Sequence, residues 1–529
     1  MNMKTITLLV ACLGLANLGT AGANPVVGKW ERHVIALGNP SYAGNPFEIE
    51  VDAVFTHAAS GTVLVLPGYY AGDQTWRIGF MPIRTGTWTF STSSQDPDLD
   101  GVTGSLSCVE SGRPGLLAAD PMHPKKWKFA DGSHVVPIGL LFSVFLEDAT
   151  PQQFAGVADF LKNEVGGHYF NFRLTNLAFE GNWQDHHLDL GLWNRFEERL
   201  EVLADRGLGV AIMPYTDDQG KPPWPAQSPT EELLFRYLVA RVAAYPVVVF
   251  NTGIDISEYR NQAWVNWYGQ TIRSLDPYAH PVSSRHGGGS GPLIMTGQTF
   301  DSQAHALAKI SSMRSAYVNA DEIPVSEDDN WGEDSERFDF GTPADIRRAF
   351  WKAMVAGGLG AHVRDNVLSD FPGAVDPDLW FHASNMADRL DSEQWLRLVN
   401  PFLRDRLGTV FGQMEPDMDL VDDGHALADA ARTTILYFLP GVNDRFDPEP
   451  DGTFVVRLSG VSGSFLATWF NPRNGTETIL GVLEGGANHN LTTPTNDDWL
   501  LLLTISQGSP IFADGFESGN TSSWSTTAQ

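Results

Sequence analysis

The 529-residue sequence predicts a multidomain protein, a (β/α)8 barrel flanked by an N-terminal and a C-terminal β-sandwich. Three observations predict it. The chain is too long for one ordinary hydrophobic core. Its two ends carry short runs of alternating apolar and polar residues, the period of half-buried antiparallel strands. Its middle carries short, wholly apolar runs separated by longer segments of helical period, the pattern of a parallel sheet buried on both faces.

Composition sets the outer bounds. Apolar residues make up 42% and charged residues 19%, which is globular material. The formal net charge is -29. Such a surface repels nucleic-acid phosphates and anionic membranes, and suits a neutral or cationic partner. Lys4, a following apolar run and Ala21-Gly22-Ala23 form an export signal, so residues 1–23 stand outside the fold and the mature chain is expected to be secreted, extracellular or periplasmic. Leu9 to Cys12 also resembles a lipoprotein box that would make Cys12 a lipid anchor. The apolar run before Cys12 is short and continues past it, which favours simple secretion. No later segment has the roughly 18 apolar residues of a membrane span. Cysteine stands only at 12 and 108; after cleavage one thiol remains, which excludes an intramolecular disulfide and a Cys-based zinc site. Cys108 lies in a strand-like run and reads as a small buried apolar group.

Residues 24–120 form the expected N-terminal sandwich. Ile49, Val51, Ala53 and Phe55 alternate, as do Trp76, Ile78 and Phe80, then Trp88 and Phe90. Asp96 to Gly101, "DPDLDG", imitates the start of a calcium loop, but Ser107 stands where the closing acid belongs, so a hairpin turn is expected.

Residues 121–412 form the expected barrel. Its candidate strands are "HVVPIGLLF", "HYFNFRL", "GVAIMPY", "PVVVFNTG", "HPVSSR", "PLIMTGQTF", "IPVSE" and "GLGAHV". Three helices open alike, at Thr150-Pro151, Ser228-Pro229 and Thr342-Pro343: a hydroxyl caps, Pro takes the first helical position, and a side chain three residues on reaches back. Ile346, Ala349, Phe350, Ala353 and Met354 share one face of the third. Only "HGGGSG" separates the fifth and sixth strands, with no room for a helix; a doubly wound sheet is the alternative. Residues 413–508 turn β again, with Asn474-Gly475 as a turn signal, and residues 509–529 read as a flexible tail.

In a barrel the strand ends that feed the βα loops build the site. Glu327 is expected at the end of the seventh strand. Asp255 stands just past the fourth strand, with Glu258 one turn on. Two carboxylates aimed at one cleft are what glycoside hydrolysis needs: one holds a proton for the leaving oxygen, and the other attacks the anomeric carbon or activates water. Their mutual repulsion drives their pKa values apart and divides the roles. Among 64 Asp and Glu residues, a solvated loop carboxylate is the plainer alternative for either one.

The sequence resembles the secreted bacterial glycoside hydrolases of the apiosidase-like group, over nearly the whole mature chain. "NPFEIEVDAVFTH" and "TWRIGFMPIRTGTWTFST" look like the sandwich of unknown function that precedes such barrels, and "GSHVVPIGL" like its junction with the first strand. "DLGLWNRFEERLEVLADRGLGVAIMPY", "WVNWYGQTIRSLDPYAHPVSSR" and "IPVSEDDNW" with "DIRRAFWKAMVAGGLGAH" look like barrel units. "ATWFNPRNG" with "DDWLLLLT" resembles a C-terminal sandwich labelled putative collagen-binding, a label given no functional weight. The resemblance implies an acid/base at the end of strand four, here Asp255, and a second carboxylate at the end of strand seven, here Glu327. The wider clan has Asn-Glu at strand four where this chain has Ile254-Asp255. The shorter side chain leaves Glu258 as a rival acid and Glu322 as a weaker rival for Glu327.

Supporting residues follow from the same frame. Arg173 and Asn176 follow strand two, where an arginine can orient a carboxylate and keep it ionised, or form a structural ion pair. Asp185, His186 and His187 can bind sugar hydroxyls or a metal, or form a solvated turn. Trp183, Trp224 and Trp331 are expected in βα loops, as stacking platforms for sugar or as packed indoles. Arg285, His286, Gln298, His362 and Arg364 are expected just after strands five, six and eight. The two-carboxylate reaction needs no metal and no cofactor. The competing class is a non-catalytic carbohydrate-binding or adhesive protein on the same scaffold. A protease finds no support, since H-E-x-x-H is absent. Sugar, linkage, stereochemistry and oligomeric state are not legible in the sequence.

Overall fold

The computed structural model describes residues 24–141, 150–174, 179–215, 221–253, 256, 259–284, 297–300, 310–319, 324–331, 343–358, 360–364, 393–422, 425–444 and 452–506. The expected export signal and tail lie outside them.

At the N-terminus two sheets face each other. One runs in the order Val26–Gly28, Thr103–Val109, Gly86–Ser94, Val51–His57, Val63–Pro67. The other runs His33–Gly38, Thr75–Phe80, Tyr69–Gly72. Val51, Ala53, Phe55, Trp76, Ile78, Phe80 and Trp88 fill the space between them, all at 0% exposure. Phe55 and Phe80 stack across the gap, 3.9 Å between centroids. Asp96 closes a turn between two strands, accepting from Asn39 Nδ2 and from the Asp98 amide, as an Asx turn does. Cys108 is a buried free thiol.

The barrel strands are β1 (Ile138–Leu141), β2 (Tyr169–Arg173), β3 (Gly209–Met213), β4 (Val248–Asn251), β5 (Val282–Ser284), β6 (Gly297–Phe300), β7 (Val325–Trp331) and β8 (Gly360–Arg364). Each pairs in parallel with the next, and β8 pairs with β1 through Ala361 and Ile138, so the ring closes. Outside it lie α1 (Pro151–Phe160), α2 (Leu190–Asp205), α3 (Pro229–Val242), α4 (Gln262–Leu275), α5 (Ile310–Asn319) and α6 (Pro343–Val355). The short link after β5, residues 285–296, lies outside the described residues. On α3, Ser228 Oγ accepts from the Glu231 amide with Pro229 at the first position, as expected. Ala349, Phe350, Ala353 and Met354 of α6 are buried.

One expected strand divides in two. "HVVPIGLLF" forms His134–Val135 and then β1. Pro137 has no N–H to continue a ladder, so the pairing changes there. His134–Val135 joins Leu117–Asp120 and His123–Phe129 in a three-stranded antiparallel sheet that spans the boundary expected at residue 120. Leu117, Trp127 and Val135 of that sheet form one buried cluster with Tyr169, Ala211, Val247 and Val249. The sheet thus seals the end of the ring at which the strands begin.

Beside this plug, Lys126 is 1% exposed on its side chain. Its Nζ donates to the Gly357 carbonyl, just past the end of α6, and to Tyr317 Oη. Tyr317 Oη donates on to Glu415. A cation at a helix C-terminus complements the orphan carbonyls there.

The C-terminal sheet runs Met414–Pro416, His425–Asp429, Thr434–Leu439, Trp499–Ile505, Ser464–Phe470, Glu477–Glu484, and faces the pair Thr453–Arg457 and Asn488–Thr492. Its central strands are buried on both faces. Ile435, Tyr437, Leu501 and Leu503 join the sandwich core, while Leu436, Phe438, Leu500 and Leu502 join the core that includes the barrel. Ion pairs lock this sheet to α6. Asp498, fully buried, accepts from Arg347 Nη2 at 2.5 Å and Nε at 3.1 Å, and Arg348 Nε lies 3.4 Å away. Lys352 meets Asp444 at 2.8 Å.

Two outcomes follow. Asp498→Ala strands two buried guanidinium groups and is expected to lower stability by about 3–5 kcal/mol in urea unfolding; an unchanged midpoint contradicts the lock. Burial pushes the Lys126 ammonium down to about 8, against the pull of Glu415. An unfolded lysine titrates near 10.4, so between these values the unfolded chain binds more protons and stability rises with pH. Below about pH 8 the burial penalty is carried in full. The urea midpoint of wild type is therefore expected to gain on that of Lys126→Met as pH rises through this window, and a constant difference contradicts the assignment.

Candidate active site

All strands of a parallel ring point their C-terminal ends to one side, so the loops after β2, β3, β4 and β7 share a mouth. At β7 the neighbours pair with it on both sides only as far as Glu327. Phe300 of β6 and Ala361 of β8 are its partners, and beyond it Trp331 pairs with Val363. Four residues of β7 thus span two of β8, an irregularity of the bulge kind that re-aims a strand next to a site. β7 does not end at Glu327 as the sequence suggested; it runs on to Trp331 because the slipped register lets the chain stay extended. Trp331 is accordingly the last strand residue and not a loop residue. Gln298 is the second residue of β6, Arg173 the last of β2, and His362 and Arg364 lie within β8; each was expected past its strand.

The chain beyond β4 is held from several sides. Asn251 Oδ1 accepts from the Gly253 amide at 2.9 Å, Tyr268 Oη donates to the Asn251 carbonyl, and the Thr252 amide donates to Ser283. Gly253 has φ 124, and a Cβ there would stand 2.7 Å from the Tyr215 carbonyl oxygen. The Arg260 amide donates to the Ile256 carbonyl, and Ile256 is buried. Asp255 and Glu258 belong to this stretch and lie outside the described residues, as do Asn176, Arg285, His286 and Glu322.

A buried carboxylate that the sequence reading passed over stands beside this stretch. Glu231, 0% exposed, accepts from Tyr215 Oη at 2.9 Å, Arg260 Nη2 at 3.0 Å, Trp264 Nε1 at 2.9 Å and the Gln227 amide at 2.5 Å. Burial, and then the Glu231 charge, push the Tyr215 hydroxyl well above its usual pKa, so it remains a donor. The visible signal was the helix-opening motif at Ser228; what the glutamate holds beyond its own helix comes from distant segments.

The tryptophans part company. Trp224 is 7% exposed, its Nε1 donating to Tyr215 Oη at 3.0 Å, with Phe179 and Trp183 edge-on at 5.1 and 6.3 Å. The expectation of an open stacking face is corrected: packing against Tyr215 and its neighbours makes Trp224 part of the wall. Trp183 is half-buried in a short turn, Trp183–Asp185. His187 is exposed, with its ring 5.6 Å from Phe47. His186 Nδ1 donates to Glu48 at 3.1 Å and its Nε2 lies 3.2 Å from Thr230 Oγ1. Asn45 Nδ2 donates to the Asp185 carbonyl. The histidine pair therefore docks its loop on the N-terminal sandwich. Among the described residues no cluster of His, Cys, Asp and Glu could hold a metal ion, and no helix is long and apolar enough to cross a membrane.

The class these features define is a multidomain protein on a closed parallel ring, with sheets attached at both ends. Comparison with known proteins narrows it. Residues 26–95 match the family described as a domain of unknown function, DUF5060. No curated protein matches the sequence. A structure described as a putative glycoside hydrolase from Bacteroides vulgatus superposes with a TM-score of 0.71 at 17% identity, covering 91% of this chain and 100% of that one. One described as a glycoside hydrolase family 5 protein from the same organism gives 0.61 at 13% identity, covering 74% and 94%. A third, described simply as a glycoside hydrolase, gives 0.60 at 13% identity, covering 75% and 99%. The fold is glycoside hydrolase-like.

Because Gly253 is both at positive φ and against Tyr215, Gly253→Ala is expected to lower stability by about 1–3 kcal/mol in urea unfolding. An unchanged midpoint would show that the turn admits a side chain.

Proposed function

We propose that the chain is a secreted glycoside hydrolase, of the apiosidase-like kind, that cleaves O-glycosidic bonds in a polysaccharide or glycoconjugate with two carboxylates. Glu327 is the nucleophile or base. Asp255 is the general acid, with Glu258 as its rival. The ring of eight strands is read as a complete (β/α)8 barrel, bounded near residues 121 and 412, with a sandwich on either side.

The observation that carries this reading is the position of Glu327. It is the last residue of β7 paired on both sides, immediately before the slipped register, on the side of a closed ring where the β4 loop also emerges. The likeness of fold to glycoside hydrolases supports it. In the reaction, Asp255 gives its proton to the leaving oxygen as the anomeric carbon gains positive charge. Glu327 either bonds to that carbon or takes a proton from attacking water. If the carboxyl groups stand about 5–5.5 Å apart the configuration is retained, and at roughly 6.5–9.5 Å it is inverted. Trp183 and Trp331 supply rings for sugar faces, His187, Gln298, Arg173, Asn176 and Arg285 supply polar contacts, and neither metal nor cofactor takes part.

The test is a hydrolysis screen over glycans and aryl glycosides, with wild type beside Glu327→Gln. Wild type is expected to cleave at least one, and the variant to do so about 10²–10⁴-fold more slowly at an unchanged melting temperature. Equal rates would remove Glu327 from the mechanism. Glycan binding with no cleavage by wild type would favour a carbohydrate-binding protein.

A further inference from the structure

We propose that Glu231 is a positioning residue for the segment between Gly253 and Arg260, which carries Asp255 and Glu258; the consequence for catalysis rests on the hydrolase reading above.

Glu231 occupies the third position of α3, where a glutamate ordinarily reaches back to the amide at the start of its own helix. Here it reaches one residue further back, accepting from the Gln227 amide just before the Ser228 cap on Oε2. Three further donors come from elsewhere. Tyr215 lies two residues past β3, Arg260 lies in the turn after β4, and Trp264 lies in the first turn of α4. The carboxylate thus ties two consecutive βα units, β3 with α3 and β4 with α4, together at one point.

The tie grips both flanks of the β4 segment. On the far flank it pairs directly with Arg260, whose side chain is 11% exposed and also donates to the Trp224 carbonyl. On the near flank Gly253 rests against the Tyr215 backbone, and the Tyr215 hydroxyl ends on the same carboxylate. Trp224, donating to Tyr215 Oη, joins the β3 loop to the knot. Glu231 is fully enclosed and both its oxygens are occupied twice, so it has no free lone pair to offer a substrate. Its influence passes through Arg260 and Tyr215. Glu231→Gln keeps the shape and the helix start, but turns an NH2 toward donors and leaves Arg260 without its counter-charge.

The test uses the full chain and hydrogen exchange read by mass spectrometry. In Glu231→Gln, amides of residues 251–262 are expected to exchange about tenfold faster or more, while residues 233–242 of α3 keep wild-type protection. Loss of protection in α3 with 251–262 unchanged would make Glu231 a helix cap only and overturn the proposal; so would no change anywhere. Arg260→Gln leaves the α3 start intact and provides the second variant should the first not fold; it is expected to loosen the same residues. On any substrate found in the screen above, each variant is expected to lower kcat about tenfold with KM within about threefold, and the double variant to be no worse than the weaker single. Additive losses would overturn the proposal. If wild type cleaves nothing the hydrolase reading fails, and the exchange measurement alone still decides whether Glu231 holds the segment.

Discussion

Closure of the ring is the constraint on which the rest depends. Once Ala361 pairs with Ile138, every barrel strand has a neighbour on both sides and no edge is left to bind another chain. Parallel pairing then fixes direction: eight C-terminal ends face one way, and the loops they feed must meet. Residues as far apart in the chain as Glu327 and the β4 segment share a mouth for that reason alone. The opposite end must be sealed, and the sheet of Leu117–Asp120, His123–Phe129 and His134–Val135 does so with Leu117, Trp127 and Val135.

The flanking sheets are structural partners of the barrel. Arg32 and Arg241 both bind Glu197 of α2, at 2.6 and 2.7 Å. Burial alone would raise the Glu197 carboxyl, but the two guanidinium groups outweigh it and hold it below its usual pKa. At the other end Asp498 is enclosed by arginines of α6, the helix that follows the strand bearing Glu327. A buried ion pair adds little net stability against a well-packed apolar contact, yet losing one partner is expensive, so such pairs dictate how two units seat. The C-terminal sandwich therefore stands behind the β7 unit and fixes the helix that supports it.

What could be read from the sequence was local. The alternation of Val51, Ala53 and Phe55 and the prolines opening α1, α3 and α6 are short-range signals, and the elements stand where those signals lie. Four consecutive leucines, Leu500 to Leu503, marked a strand, but only the packed structure shows why none is polar: alternate residues enter different cores. Pro137 divided a run that looked continuous. The slip after Glu327 left no trace in composition, because it depends on how β8 pairs. Trp224 and Glu231 were obscured for one reason: what a side chain meets in a neighbouring βα unit is not a property of its own segment. For Asp255 and Glu258 the legible part was their spacing from β4, while the contacts of their described neighbours Asn251, Gly253 and Arg260 with Tyr268, Tyr215 and Glu231 were not.

Catalysis by two carboxylates requires more of the protein than a shared mouth. On the hydrolase reading proposed above each carboxylate needs its own support: Glu327 lies on the doubly paired stretch of β7, and the described residues flanking Asp255 and Glu258, Gly253 and Arg260, meet Tyr215 and Glu231.

The most direct measurement is the separation of the Asp255 and Glu327 carboxyl groups in a crystal structure with a sugar bound. A value of about 5–9.5 Å, with the sugar ring between them, is the predicted result. Carboxyl groups turned to opposite sides of the ring wall, with Glu258 also turned away, would contradict it.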